Sequence, residues 1–221
     1  DMLREAAMDA TVERIQITAY RLASSSRIIH ALINAARNGK SVEVMLELKA
    51  RFDEEANLEW KSLLEEEGIR VLLGVPNMKV HAKLCVITRR GKQKLQYYGF
   101  VSTGNLNESS ARVYADHCLL TSSPAIMRDA LRVFEYLEKW QRGMLPLRKC
   151  KTLLVSPVSM RSGIARMIEQ EIKAARAGKK AKIIIKLNSL SDPALIKLLN
   201  KAASSGVELH LIVRGIYCAQ F

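Results

Sequence analysis

A chain of 221 residues that is 48% hydrophobic and 26% charged, with 11 Gly and 5 Pro, holds material for one sizeable core or two smaller ones and is neither disordered nor of low complexity. Its 35 Lys and Arg against 22 Asp and Glu leave a net charge of +13, which favours a polyanionic partner: nucleic acid, phosphate polymer, nucleotide or acidic membrane. No apolar run is long enough to span a bilayer, and Cys85, Cys118, Cys150 and Cys218 show no CxxC spacing, which argues against a zinc site or a dense disulfide framework. Two of the four lie in apolar strand-like runs and read as buried thiols.

In chain order, DMLREAAMDATVERI reads as a helix rather than a signal peptide. IQITAY (15–20) and VEVMLEL (42–48) read as strands, and RIIHALINAARNG between them as an amphipathic helix closed by Gly39. DEEANLEWKSLLEEEG is a helix with an acidic start, ended by Gly68 and followed by the short strand IRVLLG. VHAKLCVITRR, LQYYGFVST and ARVYADHCLLT look like successive strands, and PAIMRDALRVFEYLEKWQR is a helix with Pro124 near its start. After a basic, Pro-containing connector at about 143–151 the rhythm begins again. SMRSGIARMIEQEIKAARAGK is a helix, AKIIIKL a strand, DPALIKLLNKAASSG a helix and VELHLIV a strand. Such alternation predicts α/β layers around a largely parallel or mixed sheet. The missing initiator Met and the strand-like end, VELHLIVRGIYCAQF, suggest an excised fragment.

Setting AARNG (35–39) on AASSG (202–206) places Ile17 on Ile184, Arg21 on Asn188, Ile29 on Ile196 and Leu32 on Leu199. VEVMLEL and VELHLIV follow once a two-residue gap is allowed. An internal duplication accounts for this economically; the alternative is two unrelated βαβ units of one class. On the duplication, residues 1–147 are one domain and 148–221 the start of a second, incomplete one, and a second copy of VHAKL is expected beyond Phe221.

In an extended strand His81 and Lys83 share a face with Cys85, while Val80, Ala82, Leu84 and Val86 point into the other layer. A neutral imidazole nitrogen can attack phosphorus, and a fixed ammonium beside it can stabilise charge on the phosphoryl oxygens. STGNLNESSAR (102–112), at the end of the next strand, has the hydroxyls, amides and Gly of an oxyanion-binding loop, or of a plain turn. His30 reads as a packed or interfacial helix residue, and His117 and His210 as structural strand residues.

The His-x-Lys strand and the Gly-Asn segment together resemble the phospholipase D superfamily, whose full motif has an Asp five residues after the Lys. Here that position is Thr88, which argues against a phospholipase or nuclease. ELKARFDEEANLEW, GVPNMKVHAKL, STGNLNESSARVYADHCLLT, KLNSLSDPALI and LIVRGI resemble bacterial polyphosphate kinase, over about residues 2–215. The resemblance implies an α/β fold of duplicated phospholipase D-like domains, with mixed β-sheets flanked by helices and the second copy truncated. It implies that His81 takes the γ-phosphoryl of ATP and passes it to polyphosphate, with Lys83 and Asn105 as phosphate-orienting donors. Arg21 in TAYR and Arg51 in KARFDE match arginines of the family's magnesium–phosphate site, as forks on phosphate oxygens rather than ligands of the ion. Tyr114 and Arg214 match nucleotide-contacting residues, Arg214 lying one gapped repeat from Lys49. A second essential histidine is expected beyond Phe221. The implied cofactor is Mg²⁺, and the implied partners are ATP or ADP and inorganic polyphosphate, with no specific nucleic acid and no transmembrane segment. A cytoplasmic place, or a peripheral one at the membrane, and a homo-oligomeric full-length protein complete the expectation. The rivals are a phospholipase D-type phosphodiesterase and a non-catalytic polyanion-binding module; for the latter, 5% aromatic content is thin for base stacking.

Overall fold

The first helix, α1 (Met2–Met8), is shorter than its apolar pattern predicts. Asp9 ends it with extended backbone, and its carboxylate accepts from the N–H and O–H of Thr11 at 2.8 and 2.7 Å. That side-chain turn, followed by β-branched Thr11 and Val12, sends the chain into β1 (Val12–Ala19). The structure, a computed structural model, describes residues 1–20, 26–47 and 54–219. Arg21 and Arg51 lie outside the described residues. The chain divides into two units, Asp1–Leu153 and Leu154–Phe221.

In the first unit, α2 (Arg27–Arg37) starts on the Ser26 side chain, and Gly39 ends it with φ +78°. Past it come β2 (Ser41–Leu46), α3 (Glu54–Glu66), β3 (Arg70–Leu73), β4 (Lys83–Arg90), β5 (Leu95–Ser102), β6 (Cys118–Thr121), α4 (Pro124–Glu138) and the single turn α5 (Leu145–Arg148). The strands form one six-stranded sheet in the order β3-β2-β1-β4-β5-β6. The first three are parallel and the last three run antiparallel to their neighbours, a mixed sheet as expected.

Ile15, Ile17, Val42, Val44, Cys85 and Ile87 point to one face and pack against Leu3 and Ala6 of α1, Ile29 and Leu32 of α2, and Trp60 and Leu64 of α3. Alternate residues of the same strands point the other way. There Glu43, 1% exposed, accepts from Gln16 Nε2 at 2.7 Å, Arg14 Nη2 at 3.1 Å and Arg70 Nη1 at 3.2 Å. Arg70 also reaches Glu138 of α4 at 2.7 Å, so α4 lies over this face. A buried carboxylate is tolerated only with such partners. Farther along α4, buried Asp129 accepts from the N–H groups of Lys151, Thr152 and Leu153 at 2.8, 2.6 and 3.0 Å, and from Arg132 at 2.7 Å.

The second unit contains α6 (Met160–Arg176), β7 (Lys182–Leu187), α7 (Pro193–Ser204) and β8 (Glu208–Val213). β7 and β8 are parallel, and both helices contribute to one core through Ile168, Ile172, Leu199 and Ala202. The matched helices end alike. Gly39 and Gly206 have φ +78° and +88°, and their N–H groups reach the carbonyls of Ala36 and Ala203. Lys40 and Val207 then return to Ala35 and Ala202. The same cap closes α3 at Gly68 and α6 at Gly178, so this ending is shared by other helices of the chain and is not particular to the matched pair.

The predicted two-residue gap does not fit this register. Glu47 leaves β2 with its N–H on Ala19 O at 3.3 Å, and Arg214 leaves β8 with its N–H on Leu187 O at 3.1 Å. Counted from the two helix-ending glycines, Arg214 falls at the position of Glu47 rather than of Lys49, while the ladders set Ala19 against Leu187, one residue off the match of Ile17 with Ile184. Apolar letters alone slid the strands past each other.

Two further expectations change. ARVYADH is not a strand: Ser110–Arg112 form one 3-10 turn, and β6 is a four-residue edge strand with Leu119 and Leu120 exposed. His30 is exposed on α2, His117 lies in the loop before β6, and His210 is exposed on β8 with Nε2 2.6 Å from Glu208 Oε1. Among the described residues no helix is long and apolar enough to cross a membrane.

Cys85 is buried as expected of a strand thiol, but Cys118, on the edge strand, is exposed, as is Cys218. Burial pushes the Cys85 thiol far up and raises Cys150 to about 11. Since the thiolate is the reactive form, iodoacetamide on the native protein at pH 8 is expected to label Cys118 and Cys218 first and Cys150 slowly, with Cys85 reacting only after denaturation. Early labelling of Cys85, read by peptide mass mapping, would contradict the packing of β4.

Candidate functional site

β1 and β2 end at the edge of the sheet where β4 begins, β5 ends and β6 begins. The register shows it: Ala19 pairs with Leu46, Ile17 with Cys85, Lys83 with Ser102, and Ser102 with Cys118. Tyr20, Glu47, His81, Lys83 and the 103–117 loop are therefore delivered to one edge, the carboxyl end of the parallel strands, where α/β sheets place their ligands.

His81 lies two residues before β4 and is exposed. His81 stands outside the strand predicted to carry it, yet its side chain and that of Lys83 both reach the ring of Tyr20. Lys83 is only 3% exposed, and its Nζ donates to the carbonyl oxygen of His81 at 2.7 Å. The same Nζ stands 4.9 Å from the centroid of the Tyr20 ring, and the His81 imidazole meets that ring edge-on at 4.8 Å and 71°. Tyr20 thus contacts both members of the pair, by quadrupole attraction to the ammonium and by an edge packing of the imidazole.

The main chain around His81 is bonded on both sides. Val80 N–H donates to Glu47 Oε2 at 2.7 Å. Thr18 Oγ1 donates to Ala82 O at 2.7 Å and accepts from Leu84 N–H at 2.9 Å. Tyr20, Glu47 and Thr18 were missed in the sequence. Tyr20 could have been found inside TAYR, and Glu47 as an acid closing an apolar strand.

The loop after β5 is tied down at several points. Gly104 N–H donates to Ser102 Oγ at 3.2 Å, Thr103 Oγ1 to Asp116 Oδ1 at 2.9 Å, and Ser110 N–H to Asn107 Oδ1 at 3.0 Å. A Cβ on Gly104 would fall 2.5 Å from Asp116 Oδ2, so a glycine is needed for this approach. Glu108 accepts from Arg27 N–H at 2.9 Å, joining the loop to the start of α2. Asn105 Oδ1 is buried and, among the described residues, has no hydrogen-bond partner. A half-turn of that amide presents an NH₂ donor in its place, which suits an anionic oxygen. Tyr114, 51% exposed, follows the 3-10 turn with its N–H on Ser110 O at 3.1 Å.

The structure therefore brings His81 and Lys83 together and sets the Asn105–Tyr114 loop at the same edge. Arg214 belongs to the second unit, exposed at the matching carboxyl end of β8, where Gly215 N–H reaches Asn188 O at 2.7 Å. Among the described residues no group of three His, Cys, Asp or Glu could hold a metal ion. The donor set suits phosphate oxygens better than a bare cation.

Known proteins show the same arrangement of sequence. A family model described as polyphosphate kinase C-terminal domain 1 matches residues 1–143, and one described as polyphosphate kinase C-terminal domain 2 matches 153–221. Polyphosphate kinase of Vibrio vulnificus (strain CMCP6) is 45% identical over 98% of this chain and 30% of its own length. That of Escherichia coli (strain K12) is 42% identical over 98% of this chain and 31% of its own. The crystal structure of polyphosphate kinase from Porphyromonas gingivalis superposes with a TM-score of 0.85 at 41% identity, covering 98% of this chain and 36% of that one. The chain thus spans about a third of the length of these relatives. With two family models covering nearly every residue, including the edge that carries His81, the chain belongs to the polyphosphate kinase family.

Proposed function

We propose that the full-length polypeptide carrying this chain transfers the γ-phosphoryl of ATP reversibly to the end of a polyphosphate chain, through a phosphohistidine at His81. In the first step an imidazole nitrogen forms a bond to the γ-phosphorus, the bond to the bridging oxygen breaks, and ADP leaves with the electron pair. In the second, a terminal phosphate oxygen of the chain attacks the phosphohistidine, the P–N bond breaks, and the imidazole is released. Dividing the transfer in this way avoids direct attack of one polyanion on another. The observation that carries the reading is an exposed imidazole whose flanking peptides are bonded into the sheet on both sides.

Lys83 and Asn105, with Arg21 and Arg51 outside the described residues, serve as phosphate-binding groups; Tyr114 and Arg214 serve the nucleotide. Mg²⁺ would be held through the phosphate oxygens that Arg21 and Arg51 grip, where it would neutralise charge on the phosphoryl groups. Residues 1–147 act as the first catalytic domain and 148–221 as part of the second, in a cytoplasmic homo-oligomer. Thr88, where the phospholipase D motif has its Asp, is a mostly buried hydroxyl within β4 and supplies no carboxylate for diester hydrolysis.

The test is incubation of the full-length polypeptide with γ-labelled ATP and Mg²⁺. Acid-labile, alkali-stable label on the peptide containing His81 is expected. Label confined to another residue, or none at all, would remove the reading.

A further inference from the structure

We propose that Glu47, seconded by Thr18, is a positioning residue that holds the His81 imidazole on its line of attack; this rests on the phosphohistidine reading above. Between the end of β3 and the start of β4, among the described residues, the chain forms no strand pairing with the sheet beyond Gly74 N–H on Leu46 O at 3.2 Å. The Val75–Met78 bridge closes that segment on itself. What fastens its last residues is a side chain. Glu47, 3% exposed, stands just past β2 and takes the Val80 N–H at 2.7 Å. Its carboxylate fits beside Gly74, where even a Cβ would stay 3.9 Å from Oε1.

On the other side of His81, the regular pairing of β1 with β4 stops at Ile17 and Cys85. Thr18, 2% exposed, continues it with a hydroxyl that donates a hydrogen bond to Ala82 O and accepts one from Leu84 N–H. The histidine therefore sits between two anchors, each one residue away in the chain, both drawn from side chains on the α4 face of the sheet. Neither anchor uses the imidazole; both act through main-chain groups beside it. A charge-assisted bond from a buried carboxylate is the stronger of the two. Misplacing a reacting atom by about 1 Å can cost about 100-fold in rate, so the anchor's effect should appear in the chemical step rather than in binding.

The experiment uses the full-length polypeptide and rapid-quench labelling with γ-labelled MgATP. Glu47→Ala is expected to slow phosphorylation of His81 about 100-fold at saturating ATP, with KM for ATP within about threefold and Glu47→Gln, which keeps an acceptor oxygen, within about tenfold of wild type. Hydrogen exchange at the Val80 amide should quicken in Glu47→Ala and stay slow in Glu47→Gln. If Glu47→Ala does not fold, Thr18→Val decides the matter, with about tenfold slower labelling restored by Thr18→Ser. A labelled wild type with normal rates in Glu47→Ala, or in Thr18→Val where that variant decides, overturns the positioning role alone. So does equal slowing in Glu47→Ala and Glu47→Gln. An unlabelled wild type overturns the phosphohistidine reading and this role with it.

Discussion

His81→Ala in the full-length polypeptide is expected to lower phosphoryl transfer from ATP to polyphosphate by roughly 10⁴-fold or more, the scale seen when a covalent nucleophile is removed. The fold should not notice the change. The ring is exposed and packs edge-on against Tyr20, and three bonds beside it run through main-chain atoms: Val80 N–H, His81 O and Ala82 O. An alanine keeps all of them. The melting temperature should therefore move by no more than about 2 °C, since exposed substitutions cost little stability. The pair of measurements matters more than either alone. Lost turnover with an unchanged melt marks a chemical role, whereas more than a tenth of wild-type turnover would leave no room for an obligatory phosphohistidine. Lys83 behaves differently under the same treatment. It is buried, with its ammonium on the His81 carbonyl, so shortening it disturbs packing and chemistry together.

Asp129→Ala is expected to destabilise the first unit by about 3 kcal/mol, from the loss of a buried, charge-assisted set of bonds. Three consecutive N–H groups, of Lys151, Thr152 and Leu153, converge on one carboxylate oxygen, and Arg132 holds the other. Removing the acceptor strands those donors, and Asn is little better, because its NH₂ would face donors. Burial pushes the Asp129 carboxyl up, but the three backbone donors and Arg132 outweigh it and hold the group below its ordinary value. The sign follows from that direction. A depressed folded value contributes stability above the unfolded value of about 3.9, and the contribution is lost as the pH falls through the folded value. Urea titrations of wild type and Asp129→Ala at pH 7 and pH 3 should therefore show a smaller gap in acid. A gap under about 1 kcal/mol at pH 7 would mean that the bond set is not holding the chain after α5 to α4.

Much of the architecture is legible in the letters because its signals are local. The apolar period of RIIHALINAARNG and its closing Gly39 define α2, and the same signals define α7 before Gly206. His81 stands out through a motif that is contiguous in the chain. What sequence reading misses depends on contacts between distant segments. Glu47 anchors Val80, 33 residues away, and Thr18 anchors Ala82, 64 away. Nothing near either residue in the chain marks it for that task. Glu43 and Asp129 are hidden similarly, as acids that burial would forbid without partners supplied from elsewhere. Boundaries failed where side chains overrode periodicity: Asp9 stops α1 by capturing Thr11, and the Asn107 turn keeps ARVYADH out of the sheet. The central position of β4 also turned a presumed two-faced strand into one covered on both sides, which moved Lys83 indoors.

Counted from the glycines that end α2 and α7, Glu47 and Arg214 stand at the same step, just past β2 and β8. The same point on the chain path carries an acid turned inward in one half and an exposed base in the other. Two chain paths that agree at this point therefore carry side chains of opposite sign. The halves are consequently not interchangeable, and a graft of one into the other would keep its contour while delivering the wrong sign of charge.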